Sequence, residues 1–366
     1  MNEADPYLRY TSSVEQKEPD EDAMIEQIVA AMGKASRLVF DKHRHGYRDA
    51  HAKSHGILRG ELRVMENLPP HLSQGLFQAA CVYPIIVRFS NAPGDVRPDS
   101  LHSQRGMAVK VIGVEGERAL ADGFTTQDFL MVNYPTLPFG TVSGYFKLRE
   151  LIENNPHKTD AELASVGQKA RMVAGVLNAF GRKLPAPIEM LSAANTHPLG
   201  ETYHSMAPLR YGDYLGKISA APLSENIRVL TGQAVDFSEQ GSSQIRDLLV
   251  EFFRGNAADF QLRVQLCTSL TEMPVEDASV RWPETLSPQQ PIATIHLPVQ
   301  DAYSDQRRNY ADDVLSFSPW HALAAHRPLG GLMRSRLRAY EASSQFRHQV
   351  NGIAPVEPSS IDELPE

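Results

Sequence analysis

Tyr83-Pro-Ile-Ile-Val-Arg-Phe-Ser90 is a short run rich in Val, Ile and Phe. Two more follow it, Met107-Ala-Val-Lys-Val-Ile112 and Asp128-Phe-Leu-Met-Val132. Side chains of these types fit the pleated surface of a sheet, and the Gly, Pro, Asn and Asp around the runs are the residues that end strands. No segment of helical character separates them. Strands joined without crossover helices pair antiparallel, so the runs predict an antiparallel sheet rather than a βαβ array. Leu58 to Val64, partly alternating, adds a strand upstream. Further strands are expected around 202–222, at Phe260 to Cys267 and at Ile292 to Leu297.

Helices flank this sheet. Pro19-Asp-Glu-Asp places acid in a first turn, where the helix dipole favours it, and Met24, Ile25, Ile28, Val29 and Met32 keep a helical period. That helix should end near Gly46. Residues 140–182 have helical character with a break at Asn154-Asn-Pro156, and helices are expected over Ser242 to Arg254 and Pro328 to Phe346. Strands and helices in blocks predict an α+β fold. The organisation predicted is a loose N-terminal arm over 1–18, a single domain over 19–352 and a Pro- and acid-rich tail over 353–366.

The bulk numbers remove several function classes. A chain of 366 residues with 42% apolar content can bury a large core. Net charge is −8 without a long basic run, which argues against nucleic acid as a partner. Cys81 and Cys267 lie far apart inside apolar runs, as buried free thiols do. No secretory pattern opens the chain and no apolar run approaches the ~20 residues that span a bilayer. The expectation is a soluble, cytoplasmic protein without membrane insertion. GxGxxG and GxxxxGK[ST] are absent, which argues against nucleotide chemistry.

The C-terminal helix carries the most specific chemistry. In Arg334-Ser-Arg336-Leu-Arg-Ala-Tyr340 the guanidinium of Arg336 and the phenol of Tyr340 are four residues apart, on one helical face. A cation beside a phenol favours the phenolate, and a phenolate is an uncommon axial ligand of haem iron. The same spacing also occurs in ordinary helices, where Tyr packs and Arg stays wet.

Four segments, in order, resemble the catalase superfamily. Arg48-Asp-Ala-His51-Ala-Lys53-Ser-His-Gly56 resembles its distal-histidine motif. Val87-Arg-Phe-Ser90 with Gly94-Asp95, and Arg105-Gly-Met-Ala-Val-Lys110, look like the strands beside the distal pocket. Arg336-Leu-Arg-Ala-Tyr340, with Arg347 seven residues on, resembles the proximal helix. Without room for the usual C-terminal domain, the chain looks like the small, catalase-related haem peroxidase branch. The resemblance implies an antiparallel β-barrel with surrounding helices and one haem b. It implies Tyr340 as the iron ligand with Arg336 supporting its charge, and Arg48, Arg88 and Arg347 as partners of the haem propionates. His51 would be the distal acid–base group, oriented by Ser90, and Phe129 an aromatic on the distal haem face. His51 and His55 also have the i, i+4 spacing of zinc ligands, but no nearby Glu or Cys completes a set, and Gly56 and Gly60 disfavour a helix there.

Three departures fall on the site. Phe124 stands where the family's distal asparagine belongs, in Phe124-Thr125-Thr126-Gln127, leaving Asn133 in the next turn as an alternative amide. Ala50 precedes His51 where a bulkier residue is usual. Glu341-Ala-Ser343 replaces Pro-Asp-Thr, so the turn after the proximal helix should differ. The reading is a haem peroxidase or catalase-like enzyme that cleaves the O–O bond of hydrogen peroxide or an organic hydroperoxide through a ferryl intermediate, with a small organic electron donor as co-substrate. The alternatives are a fatty-acid hydroperoxide isomerase or lyase, and a haem-binding protein with little turnover. The short arm favours a monomer or homodimer over a threaded tetramer.

Overall fold

The structure is a computed structural model that describes residues 5–153, 160–179, 182, 184, 188–189, 192–237 and 243–366. The expected break at Asn154-Asn-Pro156 lies outside the described residues. The predicted runs are strands β1 (Ser54–Val64), β2 (Val82–Asn91), β3 (Arg105–Ile112) and β4 (Thr126–Val132). The second set is β5 (Tyr203–His204), β6 (Leu209–Tyr211), β7 (Tyr214–Pro222), β8 (Ala258–Leu266) and β9 (Gln290–Leu297). All pair antiparallel in the order β5-β4-β3-β2-β1-β9-β8-β7, and β5 closes onto β7. The result is a closed eight-stranded barrel with β6 paired to the far side of β7.

Period-2 alternation sorts each strand into two faces. Val87, Phe89, Met107, Val109, Phe129 and Met131 fill the barrel, as side chains must in a barrel of this size. Arg88, Ser90, Gly106, Ala108, Lys110, Asp128 and Leu130 therefore point outward. That outer face is covered too: Ile57, Ile86 and Ile112 pack against Leu315, Phe317 and Leu364. Cover on both sides explains why the strands read as near-continuous apolar runs.

Around the barrel run α1 (Glu21–His43), α2 (Val142–Glu153), α3 (Asp160–Ala179), α4 (Glu225–Arg228), α5 (Gln244–Phe253), α6 (Asp305–Asn309) and α7 (Gly331–Asn351). A π turn, Tyr310–Val314, follows α6 directly. α1 and α7 share an apolar seam of Ile25, Ile28, Leu332 and Met333. Arg334 locks it, donating to Glu21 at 2.7 and 2.9 Å and to Glu276 at 3.0 Å. Gly330 lets α7 start there: its φ is +91°, and a Cβ would lie 2.5 Å from the Val275 carbonyl oxygen. α7 passes straight through Glu341–Ser343, so the expected turn is replaced by continuous helix to Asn351.

The N-terminal arm, expected to be loose, is packed over Leu8–Val14, and the tail is packed as well. Leu8, Tyr10 and Val14 pack against Leu215, Cys267, Met273 and Trp282, and the Leu8 N–H donates to the Cys267 carbonyl at 2.8 Å. In the tail Leu364 is fully buried and Ser360 forms a capping box with Glu363. Apolar residues spaced through polar sequence anchor each segment. Among the described residues no helix is long and apolar enough to cross a membrane.

Candidate active site

One cavity of about 420 Å³ lies outside the barrel. The 48–51 loop, the outer faces of β2 to β4, α7 and the tail enclose it. Arg48, His51, Arg88, Ser90, Arg336, Tyr340 and Arg347, dispersed over 300 positions of sequence, all line it.

His51 sits at the end of the loop before β1 in left-handed backbone, φ +58°. Such a conformation persists in a non-glycine residue when its surroundings hold it. Here the His51 N–H donates to the Ala92 carbonyl at 2.9 Å, and its own carbonyl accepts from Arg88 Nη2 at 2.9 Å. The ring is fixed as firmly. Nδ1 is 3.0 Å from Ser90 Oγ, and Gly106 lies beneath, where a Cβ would be 2.5 Å from Nδ1. Nε2 has no partner among the described residues. Burial first, then the charges of Arg88, Arg336 and Arg48, pull the imidazole down to about 3, so it is neutral at ordinary pH.

From α7, Arg336 Nη2 donates to the Tyr340 hydroxyl oxygen at 2.7 Å, fulfilling the i, i+4 expectation. Asp49, which the sequence reading passed over, lines the same cavity; burial pushes its carboxyl up, and its N–H donates to Ser343 Oγ at 3.3 Å.

Arg48, Arg88 and Arg347 converge on the π turn. Arg88 Nε donates to Asp312 Oδ1 at 3.0 Å and Arg48 Nη1 at 3.2 Å, while Arg347 Nη2 reaches the Leu315 carbonyl at 3.0 Å. Asp312, which also accepts from Ser54 at 2.8 Å, is the organiser that the sequence reading missed. Its only signal was an acid pair, Asp312-Asp313, in an unremarkable loop. Against three guanidiniums it supplies one carboxylate. Burial and mutual repulsion lower Arg48 well below its ordinary value and Arg347 to about 10. Arg347 Nε is buried without a hydrogen-bond partner among the described residues. A buried excess of cations with an orphaned N–H suits a ligand bearing carboxylates, which guanidinium binds in a planar fork. Haem, with its two propionates and an iron that takes a phenolate, fits this donor set.

One expectation resolves differently, and the open alternatives are decided. Phe129 is not on the cavity: strand alternation turns it into the barrel, where it stacks on Phe77 with centroids 6.2 Å apart, and neighbouring Leu130 lines the cavity instead. Asn133 does not reach the cavity either; its Oδ1 accepts from the Arg105 N–H at 2.8 Å. Phe124 does line it, edge-on to His321 at 5.1 Å. His51 and His55 do not form a pair, since His55 is buried beside Asp99 at 3.9 Å.

No family model matches the sequence, and no curated protein matches it. Solved structures do. A fungal catalase superposes with TM-score 0.60 at 15% identity, covering 100% of this chain and 72% of that one. Catalase A from Saccharomyces cerevisiae gives 0.60 at 15% identity, covering 96% of this chain and 70% of that one. A bacterial catalase gives 0.57 at 15% identity, with 93% and 63% covered. The chain has a catalase-like fold, an antiparallel barrel wrapped by helices.

Proposed function

We propose that the protein is a haem-dependent enzyme that cleaves the O–O bond of a peroxide. The observation carrying this reading is one cavity that holds a neutral histidine locked by Ser90, a tyrosine oxygen bonded to Arg336, and a buried cationic edge. Tyr340 would be the iron ligand, with Arg336 balancing its negative charge. Arg48, Arg88 and Arg347 would hold the propionates. Bound haem would supply an iron centre that exchanges electrons with the peroxide. His51 moves the proton. With Nδ1 occupied by Ser90, Nε2 accepts the hydroperoxide proton and returns it to the departing oxygen, which leaves as water or an alcohol.

Phe124 in place of an amide removes a hydrogen-bond donor to bound peroxide. Together with Ala50, whose small side chain opens the wall before His51, it favours an organic hydroperoxide and an organic reductant over dismutation of hydrogen peroxide. The same apolar room supports a second reading, rearrangement of a lipid hydroperoxide.

An absorbance spectrum of the full-length protein, as purified and after haem supplementation, tests the first step. A Soret band with high-spin ferric features is expected, and its absence after supplementation overturns the proposal. Incubation with hydrogen peroxide plus a phenolic donor, and separately with a lipid hydroperoxide alone, then divides the two readings. His51→Ala should abolish turnover while retaining haem; equal, negligible rates in both proteins would leave a haem-binding protein without peroxide chemistry.

A further inference from the structure

Where the tail meets β3 and β4, the cavity wall becomes ionic. Lys110, fully buried on β3, donates to the Asp128 carboxylate at 2.9 and 3.0 Å and also pairs with Glu357 of the tail. Thr126 Oγ1 donates to Glu357 Oε1 at 2.6 Å. His321 Nδ1 lies 3.4 Å from Asp128 Oδ2 and 3.6 Å from Glu357 Oε1. Asp128, His321 and Glu357 are spaced as metal ligands are, but Lys110 already supplies the cation between the carboxylates.

Each contact that Glu357 makes goes to Oε1. Oε2 takes none among the described residues, and Glu357 lines the cavity. His321 likewise faces Asp128 and Glu357 with Nδ1 and leaves Nε2 without a partner among the described residues, and it too lines the cavity. Burial alone would neutralise both groups. Lys110 and His321 instead hold Glu357 at about 2, and the two carboxylates beside it raise His321 to about 9. The cavity therefore receives a carboxylate acceptor and an imidazolium N–H donor side by side. Phe124, Leu130 and Val356 wall the space around them. Half-buried polar groups with free valences are strong recognition elements, because a ligand that pairs them recovers the cost of their isolation.

The ligand that fits presents one atom that both gives and accepts a hydrogen bond, on a flat apolar body. We propose that this corner of the cavity binds a phenol, whose hydroxyl donates to Glu357 Oε2 and accepts from His321 Nε2 while its ring packs on Phe124. Its role as reductant rests on the peroxide chemistry proposed above. There, one hydroperoxide and two phenols give one alcohol, one water and two phenoxyl radicals, each phenol losing an electron and the proton that Glu357 faces.

Titration of the full-length protein with 4-fluorophenol, followed by ¹⁹F NMR, tests the site directly. The phenol should bind about 10-fold more tightly than 4-fluoroanisole, which lacks the O–H, and Glu357→Gln should weaken it about 10-fold, as loss of a charged hydrogen bond does. Because Lys110 also loses an anion in Glu357→Gln, Phe124→Ala serves as the second variant; it leaves the ion cluster intact and should weaken both probes. Equal affinity of the two probes for the wild type, or unchanged phenol affinity in Phe124→Ala, overturns the site. Binding as described with no phenol oxidised in the presence of peroxide supports the site and refutes the proposed function.

Discussion

Ser90 Oγ lies 3.0 Å from Nδ1 of His51, and the two are joined across 39 positions of sequence by the pairing of β1 with β2. The hydroxyl selects which ring nitrogen is left for a substrate. Ser90→Ala should keep fold and haem content but slow reaction with peroxide about 10-fold, the usual effect of removing a group that orients a reacting histidine. Stopped-flow mixing with hydrogen peroxide measures it, and Ser90→Thr should restore most of the rate.

Gly106 supports the same ring from below. A methyl group there would meet Nδ1 at 2.5 Å and Ser90 Oγ at 2.8 Å, so Gly106→Ala must displace the imidazole. The peroxide rate should fall about 100-fold, because misplacing a reacting group by an ångström has that scale of effect. The melting temperature should move by only a few degrees, since the methyl faces the cavity rather than the barrel core.

Acid should unfold this protein earlier than its carboxylates alone require. Burial and the nearby guanidiniums keep His51 down at about 3, against 6.5 for an unperturbed histidine. His55 is held at about 3, and His197, His204 and His326 at about 4. As pH falls below 6.5 the unfolded chain takes up protons at these rings and the folded chain does not, so stability declines with falling pH over that window. Melting temperature should drop steadily from pH 6.5 to pH 4, and His51→Asn, which cannot titrate, should show a shallower drop. Reaction with peroxide should stay flat between pH 7 and pH 5, because His51 remains neutral throughout; a decline with an apparent pKa near 6.5 would contradict the burial of the ring.

Phe129 marks where sequence and structure part. The strands were legible because their apolar runs sit between turn residues, and the helix of Arg336 and Tyr340 because its spacing is local. Alternation also separates Arg88 and Ser90 from Phe89. Placing Phe129 rather than Leu130 on the cavity followed the resemblance and set aside that alternation, which turns the Phe inward. Asp312 was illegible for a different reason: it has no periodic neighbours, and its meaning comes only from three arginines on other segments closing around it. The tail was legible only as a Pro- and acid-rich segment, yet Leu364 and Glu357 find a pocket and a buried lysine that sequence alone does not place. Phe129→Ala should cost about 3–5 kcal/mol of stability as a core truncation while leaving haem affinity unchanged. Chemical denaturation and haem titration together check both halves.

Tyr340 and Arg336 allow the sharpest separation of ligation from packing. Tyr340→Phe removes one oxygen, the atom 2.7 Å from Arg336 Nη2, and keeps the ring on its helix face. The barrel and the α1–α7 seam should therefore be unaffected, and circular dichroism should match the wild type. Haem added to the variant should give a Soret band shifted from the wild type and lost on gel filtration, because the remaining contacts hold only the carboxylate edge. Arg336→Leu leaves the oxygen but takes away its cationic partner, and should weaken haem retention about 10- to 100-fold, the scale found when a group supporting a metal ligand is removed. Wild-type spectra and retention in Tyr340→Phe would show that the phenol oxygen is not the ligand, whatever its place in the cavity.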